Sequence, residues 1–335
     1  MIDLRKSVEA YCAKIGSDPL LVQGAGGNFS WKENDTLWIK ASGMWLADAG
    51  TQDIFVPVDL RNLVDSIKEK NFDATPKLLG QSYLRPSIET MLHAIMPQKI
   101  VAHLHDIEIL SYLVRVDFNE IANKLMKDLD SWFIIKYFKP GSELAEALEK
   151  GLSENPGAQI VFLKNHGVVF AADTIEDLEH LVKKLHLVFT TEVNGEGQNS
   201  KLQNSVQIPG YEALKDHRLA SLVFNEKIFD RLEKDWVLYP DHVVFLGHTV
   251  TRFNSVNDFQ NNYPGIDIKS EVIFIKNFGI YAKTPFSKAK SEQLICYQNI
   301  MMRQNDETQL TSLSAIDISK LLNWDAETYR KEIAK

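Results

Sequence analysis

Two histidines two residues apart, His103 and His105, lie in the apolar run Ile100-Val-Ala-His-Leu-His105. The run reads as a β-strand, and strand side chains alternate, so both imidazoles share one face, roughly 7 Å apart along the backbone. Their nitrogens can converge on one ion, because zinc sits only about 2.0–2.1 Å from an imidazole ligand. Catalytic zinc takes three protein ligands and keeps a fourth position open. His166, in the turn Lys164-Asn-His-Gly167, is the natural third ligand, and Gly167 gives the backbone freedom to aim it inward. An HxH pair alone occurs often in strands that bind nothing. The pair, an Asn-His-Gly turn and an acid upstream make a much rarer set. That acid is Glu89, expected in the first turn of a helix, where the dipole favours a carboxylate. Near a divalent cation it would be ionised and ready to accept a proton. His93 shares its helix face and is explained by packing or by support of the site.

Anion-binding chemistry has three candidate sources. Gly24-Ala-Gly-Gly-Asn28 fails as a dinucleotide-binding turn, since Phe29 replaces the third glycine and Ser30-Trp-Lys-Glu-Asn-Asp is no crossover helix. Successive glycines still present N–H groups to an anion. Lys40 with Ser42-Gly43 offers a second set of donors, and Ser87 at a helix start a third. Each taken singly is equally explained as turn chemistry.

The elements that must position these groups follow from periodicity. Residues 3–15 have helical spacing, broken at Ser17-Asp-Pro; Leu37–Ala41 is a short strand. Ser87 is the expected N-cap of a helix over 88–96 that Pro97 stops. Asp106 can cap the helix after the HxH strand. Ala158–Leu163 and Val168–Ala171 flank the Asn-His-Gly turn as a hairpin, and Thr174–Phe189 is an amphipathic helix. Residues 193–210 read as a linker, placing a boundary near 200. The division is a unit over 1–200 and a smaller α/β unit over 210–335. The class is α/β or α+β, helices covering a sheet.

Composition narrows the function. With 335 residues, one large domain or two smaller ones are expected. The net charge of −8, without any Lys/Arg stripe, argues against a nucleic-acid partner. Cys12 and Cys296, far apart in helical segments, read as buried small hydrophobes. No signal-like or 18-residue apolar run is present, which predicts a cytoplasmic protein with no membrane partner.

The blocks Gly26-Gly-Asn-Phe-Ser30, Ile39-Lys-Ala-Ser-Gly43, Arg85-Pro-Ser-Ile-Glu-Thr90, Val101-Ala-His-Leu-His105 and Asn165-His-Gly167 occur in an order that resembles the class II aldolase/adducin family over roughly 5–190. The likeness is nearest the aldolase half of bifunctional aldolase/short-chain-dehydrogenase proteins of the rhamnulose-1-phosphate aldolase kind. Leu321-Leu-Asn-Trp-Asp-Ala-Glu-Thr-Tyr-Arg330 resembles the tail of that half, and no dehydrogenase half follows, so no nicotinamide cofactor is implied. The resemblance implies a three-layer αβα domain around a mainly antiparallel sheet, assembled as a tetramer with sites between subunits. It implies one Zn2+ per chain on His103, His105 and His166, with Glu89 as acid/base. Gly27, Asn28, Ser42, Gly43 and Ser87 would cradle a substrate phosphate. This chain has Ser87-Ile-Glu89 where the sugar-phosphate aldolases have Ser-Ser-Glu, so Ile88 removes one hydroxyl from the cradle. The family's proton-donating tyrosine has only Tyr137 as a weak match. The expected activity is a carbon–carbon lyase reaction, the retro-aldol cleavage of a ketose 1-phosphate through a metal-stabilised enediolate. The alternatives are a sugar-phosphate 4-epimerase or decarboxylase using the same metal enolate, and a non-catalytic adducin-like interaction module.

A final pattern is internal. Val161-Phe-Leu-Lys-Asn-His-Gly-Val168 is echoed by Ile273-Phe-Ile-Lys-Asn-Phe-Gly-Ile280, each followed by a helix-period stretch. Phe278 stands where His166 stands, so the echo predicts a degenerate second copy without a metal site. Asp241-His242 with His248 has the wrong spacing to supply one.

Overall fold

The structure is a computed structural model describing residues 4–129, 131–197, 199–263, 268–322 and 324–334. Seven strands form the larger sheet: β1 (Asn28–Glu33), β2 (Thr36–Lys40), β3 (Phe55–Asp59), β4 (Ile100–Leu104), β5 (Trp132–Ile135), β6 (Ile160–Leu163) and β7 (Gly167–Ala172). Their order is β3-β2-β1-β4-β7-β6-β5. All neighbours are antiparallel except β5 and β6.

Alternation sorts β4 cleanly between two layers. Ile100, Ala102 and Leu104 join one apolar cluster with Phe29, Trp31, Val168 and Phe170. Val101 joins another with Leu92, Leu144, Val169 and Ala171. Helices Ile107–Leu113 and Ile175–Phe189 cover the first face, and Thr90–Ile95 and Ser142–Glu154 the second. The sheet is therefore sandwiched as expected for αβα. β1 alternates polar Asn28, Ser30 and Lys32 with apolar Phe29 and Trp31, which join the first cluster, while Asn28 and Ser30 are buried on the opposite face.

Two local expectations shift. The helix expected over 88–96 starts at Thr90, and Glu89 is its cap rather than a first-turn residue. The reason lies upstream: Ser42 N–H donates to Arg85 O at 2.9 Å and Ser87 N–H to Lys40 O at 3.2 Å. That pairing keeps Arg85–Ser87 extended alongside the end of β2, and the Ser87 hydroxyl accepts from Glu89 N–H at 3.2 Å. In the Asn-His-Gly hairpin, the left-handed residue is Asn165, at φ 55°. Gly167 serves a different need: a Cβ there would lie 2.6 Å from Leu104 O and 2.9 Å from both His103 Cε1 and His105 Cδ2. Its smallness lets β4 and its imidazoles approach.

No helix or strand occupies the described residues between Thr190 and Gly210. Beyond them lies a smaller sheet of β8 (Tyr211–Ala213), β9 (Thr251–Phe253), β10 (Val272–Ile275) and β11 (Gly279–Lys283), in the order β8-β11-β10-β9. β8–β11 and β11–β10 are antiparallel and β10–β9 is parallel, the same order and directions as β4-β7-β6-β5. One apolar cluster runs from Phe29 and Leu104 through Leu222, Phe274 and Leu294, so the core is continuous across both sheets. Cys12 and Cys296 are free and buried within it, and burial pushes both thiols up. Among the described residues, no helix is long and apolar enough to cross a membrane.

His242 lies fully buried in that core, edge-on to Trp236 at 4.4 Å and Tyr297 at 4.8 Å between ring centroids. Neither ring nitrogen has a hydrogen-bond partner, and burial pushes its pKa down to about 3. The unfolded chain, with a pKa of about 6.5, takes up the proton first as pH falls. Stability is therefore lost from about pH 6.5 downward, by at most about 1.4 kcal/mol per pH unit for this residue. The expected result for His242→Phe is a flatter decline of the urea midpoint between pH 6.5 and 5 than in the wild type. Equal slopes would show that the buried imidazole is not held neutral.

Candidate metal centre

The ladder places the site's first residues. In the pairing of β1 with β4, Asn28 lies opposite His103, and on the other side of β4 His103 lies opposite Val169. His105 follows just past the strand end, and the β6–β7 hairpin brings in His166. The three rings have centroids 4.7–5.5 Å apart. One ring nitrogen from each lies within 4.8 Å of the others. His103 Nε2 and His105 Nε2 are 3.2 Å apart, close to the edge of about 3.3 Å for two nitrogens in a tetrahedral zinc shell.

Protonation suits ligation. His103 Nδ1 is 3.3 Å from Val168 O, so Nδ1 carries the hydrogen and Nε2 keeps its lone pair. Burial pushes the pKa of His103 down to about 4 and that of His166 to about 3, against the pull of Glu89. All three rings are buried, and the donor set matches a tris-imidazole divalent-metal site with a position left open.

Glu89 bridges the rings, with Oε2 3.6 Å from His103 Nε2 and Oε1 3.6 Å from His166 Nε2. Burial works against its charge, but His103, His166 and the Asn28 amide hold its pKa down at about 2. Asn28 Nδ2 donates to Oε2 at 2.6 Å, while Oε1 has no hydrogen-bond partner. The Asn28 carbonyl in turn accepts from His93 Nε2, and His93 Nδ1 takes the Ser30 hydroxyl at 2.7 Å. This line of Ser30, His93, Asn28 and Glu89 explains why a buried histidine sits on the helix Thr90–Ile95. Burial keeps His93 neutral, with its pKa down at about 3.

The sequence-derived donors converge. Gly27, Asn28, Lys40, Ser42, Gly43 and Ser87 line one narrow cavity of about 30 Å³, with Glu89, His105 and His166 on its inner wall. Not all of them are spare donors. The Lys40 ammonium donates to Met44 O at 2.7 Å and Ala25 O at 3.3 Å, tying two loops together. Burial and then Arg330 lower its pKa to about 7. Tyr137 sits with Leu313 and Leu321 in an apolar cluster, away from the cavity lining.

Three charged lining residues escape the sequence reading as site residues: Asp241, Glu327 and Arg330. Arg330 and Glu327 fall within the tail block Trp324-Asp-Ala-Glu-Thr-Tyr-Arg330, which is the one available signal. Asp241 carries none, because its neighbours His242 and His248 form no metal set with it. The structure encloses His242 among aromatic rings instead.

Residues 7–193 match the family model described as Class II Aldolase and Adducin N-terminal domain. The uncharacterized oxidoreductase YuxG of Bacillus subtilis (strain 168) is 30% identical over 177 residues, which cover 48% of this chain and 25% of that protein. The chain thus spans about a quarter of that relative's length. Among solved structures, the N-terminal class II aldolase domain of a conserved protein from Thermoplasma acidophilum is 27% identical. That match covers 56% of this chain and 92% of the other, with a TM-score of 0.46. The L-fuculose-1-phosphate aldolase from Thermus thermophilus is 18% identical over 55% of this chain and 93% of the other, with a TM-score of 0.36.

Because a Cβ at residue 167 would strike Leu104 O and two imidazoles, Gly167→Ala is expected to destabilise the metal-free protein by about 1–3 kcal/mol, as overpacking does. Urea unfolding measures it. Wild-type stability would mean that β7 has room the geometry does not show.

Proposed function

The chain belongs to the class II aldolase and adducin family, and within it we propose a zinc-dependent aldehyde-lyase that cleaves a ketose 1-phosphate to dihydroxyacetone phosphate and a small aldehyde. The observation that carries this reading is the convergence of three buried imidazoles beside a buried carboxylate with one unpartnered oxygen. A zinc ion bound by His103, His105 and His166 would supply a Lewis acid for the substrate's ketone and adjacent hydroxyl oxygens. Glu89 moves the proton at the carbon next to the carbonyl, through the oxygen that Asn28 leaves free. Asn28, itself fixed by His93, keeps that carboxylate turned toward the imidazoles. The loop donors of Gly27, Ser42, Gly43 and Ser87 hold the phosphate, with Lys40 fixing the loops that carry them. A non-catalytic scaffold has no need of this set.

Glu89→Gln is expected to keep zinc and lose turnover by about 10²–10⁴-fold, because an amide cannot take up the proton. His166→Ala is expected to lose both. The test is metal analysis with a panel of ketose 1-phosphates and coupled detection of dihydroxyacetone phosphate. Near-wild-type turnover in Glu89→Gln would remove Glu89 from its role. Bound zinc without cleavage of any ketose 1-phosphate would point to the epimerase or decarboxylase reading, and absence of both zinc and turnover to a scaffold.

We also infer that residues 1–200 are the catalytic unit and 210–335 a degenerate copy without a metal. The matching strand order supports it, as do details of the two hairpins. Asn165 and Asn277 share φ 55°, and Leu163 pairs with Gly167 as Ile275 pairs with Gly279. Lys164 N–H donates to Ile135 O and Lys276 N–H to Phe253 O, both at 2.9 Å. Ala213 pairs with Tyr281 as His103 pairs with Val169, so Ala213 holds the place of His103 and Lys215 that of His105. Phe278, in the place of His166, packs among Phe253, Ile275 and Tyr281. One zinc per chain is expected by metal analysis, and two would overturn the copy's silence. Assembly as a homo-oligomer is the family-based expectation, checked by light scattering against the 38.1 kDa monomer.

A further inference from the structure

The far wall of the cavity comes from the second half of the chain. Asp241 stands in the first turn of the helix Pro240–Leu246, and Glu327 and Arg330 stand on the last helix, Asp325–Ile333. Arg330 grips Asp241 with both ends of its guanidinium, Nη1 to Oδ1 at 2.6 Å and Nη2 to Oδ2 at 2.8 Å. It is anchored further by Ala25 O at 3.4 Å and Glu327 Oε2 at 3.4 Å. Asp241 Oδ2 lies 3.4 Å from His105 Nδ1.

The first half of the chain makes room for that approach. A Cβ on Gly26 would lie 2.9 Å from Asp241 Oδ2, from His105 Nδ1 and from the Gln23 carbonyl oxygen of its own loop, so a side chain here would intrude where carboxylate and imidazole meet. Burying these charges is expensive, and a buried ion pair is often no more stable than a packed apolar replacement. Stability therefore gives little reason for the arrangement. Position gives a better one. His103 has its Nδ1 fixed by the Val168 carbonyl of its own sheet, whereas His105 has Asp241, which arrives from the other half.

We propose that Asp241, locked by Arg330, is a positioning residue that fixes His105 as a metal ligand, so that the C-terminal half of this chain completes the metal centre in cis. A carboxylate on Nδ1–H selects the tautomer with a free Nε2 lone pair, sets the ring's direction and raises its basicity. Gly26 acquires a role apart from anion binding, and so does the tail block around Arg330. The inference rests on the three-histidine reading above but not on any particular reaction.

The test is zinc affinity of the full chain, by competition with a chromophoric chelator, which needs no turnover. Removing such an outer partner typically weakens metal binding 10–100-fold, and that loss is expected for Asp241→Asn. Because Asp241→Asn leaves Arg330 buried without its partner, the double variant Asp241→Asn/Arg330→Met removes both charges together, and the same loss is expected. Gly26→Ala keeps both charges and reads the contact from its other side, again with weakened zinc. Thr328→Gly, which loosens the same helix at an exposed position outside the cavity lining, is expected to stay within threefold of wild type. Wild-type zinc affinity in the double variant or in Gly26→Ala overturns the proposal, as does an equal loss in Thr328→Gly, which would mean that any disturbance of the last helix suffices. A wild-type chain that takes up no zinc overturns this inference and the metal reading together. One that binds zinc as expected yet cleaves no ketose 1-phosphate overturns only the reaction.

Discussion

The pairing of β4 between β1 and β7 carries the site. Asn28 opposite His103, and His103 opposite Val169, put an amide, an imidazole and a hairpin on one face of one sheet. A slip of one residue in either ladder would turn His103 into the apolar layer of Phe29 and Leu104 and leave Glu89 without its amide partner. Strong apolar burial on both faces forbids that slip. The polar line of Ser30, His93, Asn28 and Glu89 thus inherits its geometry from hydrophobic packing around it.

Charge is concentrated where water is scarce. Lys40, Glu89, Asp241, Glu327 and Arg330 are all buried around one small cavity. Isolated ions there would cost several kcal/mol each, and most are neutralised by a neighbour. Arg330 answers Asp241, the Lys40 ammonium rests on carbonyls, and the Asn28 amide takes one oxygen of Glu89. The exceptions are Glu89 Oε1 and Glu327 Oε1, two carboxylate oxygens without a partner. Both atoms belong to residues that line the cavity, and a buried acceptor left unpaired is costly.

The two hairpins show how small a change separates a polar centre from a core. Both turn through an asparagine at φ 55°, and both strands leave in the same register. Where one turn carries an imidazole toward two others, its counterpart carries Phe278 into a cluster of aromatic and aliphatic side chains. The backbone is indifferent to the exchange, because the asparagine and glycine that shape the turn flank the substituted position.

The sequence by itself determined whatever depends on near neighbours. Alternation put His103 and His105 on one strand face and turn chemistry put His166 in a hairpin, while a single cradle from Gly27 to Ser87 was implied only by the family resemblance of the donor blocks. Whether those stretches met was left to packing, and so were the details that packing enforces. β1 is covered on both sides, so the polar Asn28 and Ser30 of its alternating pattern are buried against Glu89 and His93 instead of facing water. Glu89 caps its helix because Arg85–Ser87 is held extended by the end of β2. Gly167 is small because β4 presses on it. Asp241 and Arg330 were beyond local reading altogether, since they meet across 89 residues, and Arg330 meets Ala25 across 305. Contacts of that span leave no spacing pattern in the chain, because only the closure of the second half over the first brings the partners within reach.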